Sequence, residues 1–301
     1  MSDRTEPFAR AYAACEELAR SHYENFPVAS WLLPAAMRPH VAAVYAFARV
    51  ADDIADEGSA PPPDRQARLH AWHDRLHSAA AHGSIGSAPE DRDGLIAAAL
   101  GHSIRSLDLP ISLFDDLLSA FCQDTMTTRY ASWTEALDYC RRSANPVGRL
   151  VLRIAGYRND ALDRSSDALC TALQLTNFWQ DFGRDWRAGR LYVPREVQEA
   201  CGASERELAD AHLSPAWVRA LATCVGFTRN RFAQGREVCD GVTGRLRVEL
   251  RLTWLGGATI LDRVERGSVD LVSRRPALAL ADVPWLAWRA VRWGHRGRYG
   301  P

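Results

Sequence analysis

The chain contains no lysine. All 37 of its basic residues are arginine, and 37 acidic residues balance them to a formal net charge of +0. That balance excludes the global positive field that gathers nucleic acid, so no nucleic-acid partner is expected. It also makes every permanent cation a planar fork suited to carboxylate or phosphate. Paired cysteines are missing too. Seven cysteines are scattered with no CxxC, which argues against a zinc site or a disulfide framework and fits free thiols in a reducing compartment. No apolar run approaches the roughly 20 residues needed to span a bilayer. The N-terminal stretch "MSDRTEPFARAYAACEELAR" is charged and amphipathic, unlike a secretory leader. A soluble cytoplasmic protein is expected. There is no P-loop, no GxGxxG, no HExxH and no Glu-x-x-His. The missing dinucleotide fingerprint counts against a nicotinamide cofactor.

Strand patterning is nearly absent as well. Helix-period segments dominate instead. They fall at roughly 7–24, 38–56, 64–82, 92–107, 110–127, 132–156, 166–187, 195–200, 204–210, 214–239, 246–266 and 283–293. The breaks between them, "EGSAPPPD", "HGSIGSAPEDRDG" and "GYRNDALDRSS", carry ordinary turn chemistry. None looks like an interdomain linker, so residues 1–301 read as a single all-α domain. Pro146 falls inside the 132–156 segment and predicts a kink there.

The stretch "VYAFARVADDIADEG" (Val44–Gly58) sets charge among apolar residues. On a helix over 41–56, Tyr45, Arg49, Asp52 or Asp53, and Asp56 share one face. The other faces carry Val41, Ala42, Ala43, Val44, Ala46, Phe47, Ala48, Val50 and Ala51, the pattern of a buried helix. Its charged stripe therefore looks into a cavity or ends in solvent. Negative charge at a helix C-terminus opposes the macrodipole, which disfavours the solvent alternative. Carboxylates one turn apart repel unless a cation lies between them, and a hard divalent ion such as Mg²⁺ fits oxygen ligands.

A second segment repeats the pattern. In "SSDALCTALQLTNFWQDFGRDWRAGRLYVP", Ser166 reads as an N-cap and Gly189 as a stop. Gln174, Asn177, Asp181 and Asp185 fall at steps of three, four and four. Leu173, Leu175, Phe178, Trp179 and Phe182 cover the remaining faces. Gly183, between the aspartates, costs roughly 1 kcal/mol relative to Ala, which implies a close approach of ligand or backbone. Two such helices suggest a facing arrangement around a metal-bound anion.

"YAFARVADDIAD" and "QLTNFWQDFGRDWRAGRLYVP" resemble the two aspartate-rich motifs of the squalene/phytoene synthase family. "FPVASWLLP", "DYCRRSANPVG" and "RRPALALADVPWLAWRAVRW" resemble further family segments, and the likeness covers nearly the whole chain. It implies an isoprenoid-synthase helical bundle around a central cavity that binds prenyl diphosphates through Mg²⁺ or Mn²⁺. By position, Asp52, Asp56, Asp181 and Asp185 would hold the metal with help from Asn177. Tyr45, Arg49 and Tyr192 would contact diphosphate, with Asp53 and Gln180 beside them. Tyr139 matches a tyrosine near the reacting carbons. "NFPVAS" and "NFWQDF" are most similar to the hopanoid-associated hydroxysqualene synthase branch, which converts presqualene diphosphate and water to hydroxysqualene and diphosphate without NADPH. Gln180 stands where head-to-head synthases usually have Arg. Pro27 lies near serines of those enzymes, and Gly257 near a common Tyr.

The resemblance leaves alternatives open. A head-to-head synthase making presqualene diphosphate, dehydrosqualene or phytoene is one. A non-catalytic helical scaffold of the same fold is another, although both aspartate motifs are intact. Phe26, Phe47, Phe178, Trp179 and Phe182 offer π faces to a carbocation or are plain core. Tyr139 and Gln174 are candidates for placing a water. The tail, with Trp285, Trp288 and Trp293 among Arg289, Arg292, Arg296 and Arg298, either touches anionic lipid at the inner membrane face or packs on the core. Membrane contact would suit handover from other squalene-pathway enzymes.

Overall fold

A computed structural model describes residues 8–21, 32–56, 60–82, 91–209 and 212–294. Phe26, Pro27, Arg296 and Arg298 lie outside the described residues. Among the described residues the secondary structure is helical, apart from an isolated bridge between Arg129 and Leu191. The chain groups into two compact units. One is Met1–Met126 with Arg149–Arg158, and the other is Thr127–Gly148 with Asn159–Pro301.

The first unit holds α1 (Ala9–Ser21), α2 (Arg38–Asp56), α3 (Pro62–Ala81), α4 (Arg92–Leu107) and α5 (Ser112–Asp124). α2 packs against all four of the others. Its alanines let neighbouring helices approach closely, while Phe47 fills the gap at the centre. That ring stacks on Trp72 at 5.4 Å and meets Phe114 edge-on at 5.6 Å. Phe47 is thus plain core. α3 opens on the proline run, with Pro61 at its N-cap and proline in the first turn, where a missing N–H is harmless.

The second unit is built on α8 (Asp160–Gln180), preceded by α6 (Trp133–Ser143) and by the start of α7 (Asn145–Ile154), whose residues from Arg149 on belong to the first unit. Then come α9 (Phe182–Arg187), α10 (Arg195–Cys201), α11 (Pro215–Gln234), α12 (Val238–Gly241), α13 (Gly244–Arg266) and α14 (Val283–Val291). α8 packs against α6, α11, α12 and α13. Trp179 is fully buried and donates its indole N–H to Thr228 Oγ1 at 2.9 Å. Phe182 is buried edge-on to Trp217.

Several boundaries differ from the periodicity. The 132–156 segment divides at Ala144, and Pro146 sits in the first turn of α7 instead of kinking a continuous helix. The second aspartate helix starts at Asp160, and Asn159, not Ser166, caps it by accepting from Ala161 N and Leu162 N. Ser166 is buried within the helix. Its neighbour Ser165 serves tertiary structure, donating to the Gln234 carbonyl at 3.2 Å and accepting from Val238 N at 2.8 Å. The 214–239 segment breaks after Gln234.

The seven cysteines are free. Burial pushes the thiols of Cys15, Cys140, Cys170 and Cys239 up to about 12, so these are inert core groups. Among the described residues no helix is long and apolar enough to cross a membrane. α14 packs on α13, burying Leu286 and Ala290 and leaving Trp285, Trp288 and Val291 exposed. Trp293 is instead packed, edge-on to Trp254 and beneath Arg236.

Glu249 on α13 is only 6% exposed, and its Oε2 has no hydrogen-bond partner. Burial raises its carboxyl from 4.5 to about 7. Between those values the folded chain holds a proton that the unfolded chain has lost. The contribution of Glu249 to stability is therefore fullest below about 4.5 and is lost as pH rises to about 7, by up to about 1.4 kcal/mol per pH unit. Glu249→Gln should remove that slope in denaturant titrations from pH 5 to 8. An unchanged slope would refute the assignment.

Candidate active site

α2 displays its charges as the periodicity implies. Ala42, Ala43, Val44, Ala46, Phe47, Val50, Ala51, Ile54 and Ala55 are buried. Tyr45, Arg49, Asp52 and Asp53 are partly exposed along one stripe, and Asp56 is exposed at its end. Arg49 bridges the two adjacent carboxylates. Its Nη1 lies 3.2 Å from Asp52 Oδ2 and its Nη2 lies 2.5 Å from Asp53 Oδ1. The fork thus screens the repulsion within the acidic turn. Burial raises the Tyr45 hydroxyl pKa, with Arg49 pulling the other way. Arg65 donates to the Ala55 carbonyl, placing a cation at the C-terminal end of α2. Three carboxylates near that end are tolerable because two guanidiniums attend it.

In the second unit the aspartates straddle a helix break. Asp181 joins α8 to α9 with φ −91° and ψ 9°. Helical hydrogen bonds nevertheless run through it, from Asp181 N to Asn177 O and from Asp185 N to Asp181 O. Asp181 is buried. Its Oδ2 accepts from Asn177 Nδ2 at 3.2 Å, and its Oδ1 accepts from Arg275 Nε. Asp185 lies 3.6 Å from Arg190 Nε. Gln174 is half-buried on α8. Gln180 turns to the segment after α13, donating to the Pro276 carbonyl at 2.7 Å.

Tyr139 and Tyr192 come together around Phe178. The Phe178 and Tyr192 rings stack at 4.3 Å, and Tyr139 lies 5.8 Å from Phe178. Tyr130, which sequence reasoning passed over, closes the group at 5.7 Å from Tyr192 and 5.8 Å from Tyr139. Four rings thus pool their electron-rich faces beside α8. Gly257 faces α8 as well. A Cβ there would come within 2.5 Å of Leu173 and 2.9 Å of Phe232. A larger side chain at this position has no room without repacking.

An all-α protein whose central helices carry paired aspartates attended by arginine and aromatic rings suits an anionic, largely apolar substrate. The chain belongs to the squalene/phytoene synthase family, which it matches over residues 19–288. A hydroxysqualene synthase of Zymomonas mobilis is 40% identical over 212 residues, covering 69% of this chain and 67% of that one. A phytoene synthase of Cereibacter sphaeroides is 31% identical over 289 residues, 93% of this chain and 79% of that one. The crystal structure of squalene synthase HpnC from Alicyclobacillus acidocaldarius superposes with a TM-score of 0.78 at 39% identity. The match covers 86% of this chain and 94% of that one. The fold is that of the isoprenoid synthases.

Arg190 and Arg275 escaped the sequence reading. Arg190 lies just past the expected helix stop, within reach of a spacing argument. Arg275 is 94 residues from the aspartate it meets, and no local pattern points to it. Its segment is held against α8 and α9 at several points. Arg187 Nη1 donates to the Val272 carbonyl at 3.0 Å. A Cβ on Gly183 would lie 2.2 Å from that same oxygen and 2.5 Å from the Leu271 carbonyl. Backbone, therefore, makes the close approach that this glycine implied. Gly183→Ala should lower stability by about 1–3 kcal/mol despite better helix propensity. Urea unfolding measures this, and a gain in stability would contradict the packing.

Proposed function

We propose that residues 1–301 act as one catalytic domain that ionises presqualene diphosphate and captures the cation with water, giving hydroxysqualene and diphosphate. The observation that carries this reading is the 40% identity to a hydroxysqualene synthase in a chain that keeps both aspartate motifs. The donor set suits a hard divalent cation, since Asp52, Asp56, Asp181 and Asp185 offer only carboxylate oxygens. Asp52, half-exposed on a shared face with Asp56, is open to an approaching ion although its Oδ2 is paired with Arg49. Asp181 has both oxygens engaged by Arg275 and Asn177, so a cation held there would take the place of the guanidinium. Bound Mg²⁺ or Mn²⁺ supplies Lewis-acid stabilisation of the departing diphosphate.

The chain's own groups do the rest. Arg49, held by Asp53 and flanked by Tyr45, orients diphosphate at α2, and Asn177 on α8 with the nearby Tyr192 does the same. Arg275, if freed from Asp181, would offer a second fork for phosphate oxygens. The rings of Tyr139, Phe178 and Tyr192 stabilise the carbocation through their π faces. Tyr139 or Gln174 positions the water, whose oxygen forms the new C–O bond while its proton passes to the released diphosphate. The exposed Trp285 and Trp288, beside Arg289 and Arg292, fit contact with an anionic membrane surface and handover of the apolar chain from other squalene-pathway enzymes.

A second reading joins two allylic diphosphates head to head. The phytoene synthase relative and the squalene synthase structure favour it. Gln180 weighs the other way, because a neutral amide engaged by Pro276 supplies no charge for a second diphosphate.

Purified protein supplied with presqualene diphosphate and Mg²⁺ in ¹⁸O-water should yield labelled hydroxysqualene without any reduced nicotinamide. Efficient conversion of farnesyl diphosphate alone to an unlabelled C30 hydrocarbon overturns the assignment. Asp52→Ala, Asp56→Ala, Asp181→Ala and Asp185→Ala should each lower turnover about a thousandfold or more with helicity retained. Near-normal rates in any two of these variants reject the site. Turnover that survives complete chelation by EDTA rejects the metal.

A further inference from the structure

The first unit contains a second group of ligating side chains, on helices other than α2. His73 and His77 stand four residues apart on α3, so their imidazoles leave the same face. Their ring centroids are 4.2 Å apart. Asp115, in the first turn of α5, reaches both. Its Oδ1 lies 3.1 Å from His73 Nε2 and 2.7 Å from His77 Nε2. One ligand atom from each of the three residues falls within 4.8 Å of the others. On the far side of the His73 ring, Nδ1 is 3.5 Å from Asp74 Oδ1. Metal-binding histidines use that arrangement, in which an outer carboxylate takes the second ring proton and fixes the tautomer.

We infer that His73, His77 and Asp115 form a binding site for a borderline divalent transition metal, Zn²⁺ foremost, that ties α3 to α5. Two imidazoles with one carboxylate select zinc, nickel or copper over magnesium and calcium, which prefer all-oxygen shells. The donor set therefore differs in kind from the carboxylates of α2 and α8. A tetrahedral ion with bonds of about 2.0–2.1 Å spaces its ligands about 3.4 Å apart. The side chains are 37%, 40% and 38% exposed. They have the freedom to converge, and the ion has an open route in, with a position left for water. On binding, His73 keeps its proton on Nδ1, directed at Asp74, and gives Nε2 to the metal.

The site has a structural consequence. α3 and α5 pack on each other and both pack on α2. A metal bridge between them stabilises the folded unit by mass action, because the unfolded chain does not hold the three ligands together.

The test is calorimetric titration of EDTA-stripped, dialysed full-length protein with Zn²⁺ in the presence of excess Mg²⁺. Alongside it, thermal unfolding is followed with and without Zn²⁺. One equivalent should bind with Kd tighter than about 10 µM, and unfolding should shift upward. His77→Gln and Asp115→Asn should each weaken binding at least tenfold and abolish the shift, with unchanged circular dichroism. Binding weaker than about 10 µM overturns the site, as does an equal affinity in the variants, which places the ion elsewhere. Cobalt(II) in the unmodified chain gives a reading independent of any variant. Weak d–d bands are expected, and a thiolate charge-transfer band, pointing to cysteine, overturns the proposal.

Discussion

A carboxylate on a helix that is buried on its other faces must meet a cation, because an unpaired charge out of water costs several kcal/mol. The two central helices of this protein are organised around that requirement. In α2 the answer is local, since Arg49 sits one turn before Asp52 and Asp53 and spans both. In α9 it is again local, through Arg190 just past the helix, while for Asp181 it comes from Arg275, 94 residues farther along the chain. The absence of lysine makes the solution uniform, because each partner is a fork able to share itself between oxygens. Such a fork can also pass from carboxylate to phosphate without changing its own charge.

How far the sequence could be read depended on how local each solution was. The span and charged stripe of the first motif were legible. α2 spans Arg38–Asp56 as the periodicity predicted, because apolar residues on every other face leave room for only one alignment. The second was legible in its stripe but not in its limits. Ser166 looks like the capping residue, yet it is buried within the helix, and its neighbour Ser165 bonds to the Gln234–Val238 turn. The cap falls instead to Asn159, whose side chain satisfies two orphan N–H groups. The break at Asp181 has no signature beyond the nearby glycine.

The same distinction separates the residues named in advance from those missed. Family resemblance points to Tyr139 and Tyr192, and the structure gathers both around Phe178. Tyr130 completes that group from a stretch with no motif. Gln180 shows the opposite case. A position argument sets it beside a diphosphate, while its amide is occupied by the Pro276 carbonyl. One residue of rotation on a helix was enough to give it a tertiary task.

That task belongs to a wider clasp. Gln180, Asp181, Gly183 and Arg187 each meet the segment running from Leu271 to Pro276, two of them through side-chain bonds to its carbonyls, one through a salt bridge and one through bare backbone contact. The helix and the segment are therefore one heritable unit although some 90 residues of chain lie between them. A chimera that takes the aspartate helix from one family member and this segment from another joins halves shaped for different partners. Recombination between relatives should tolerate crossovers that carry both pieces together and reject those that part them.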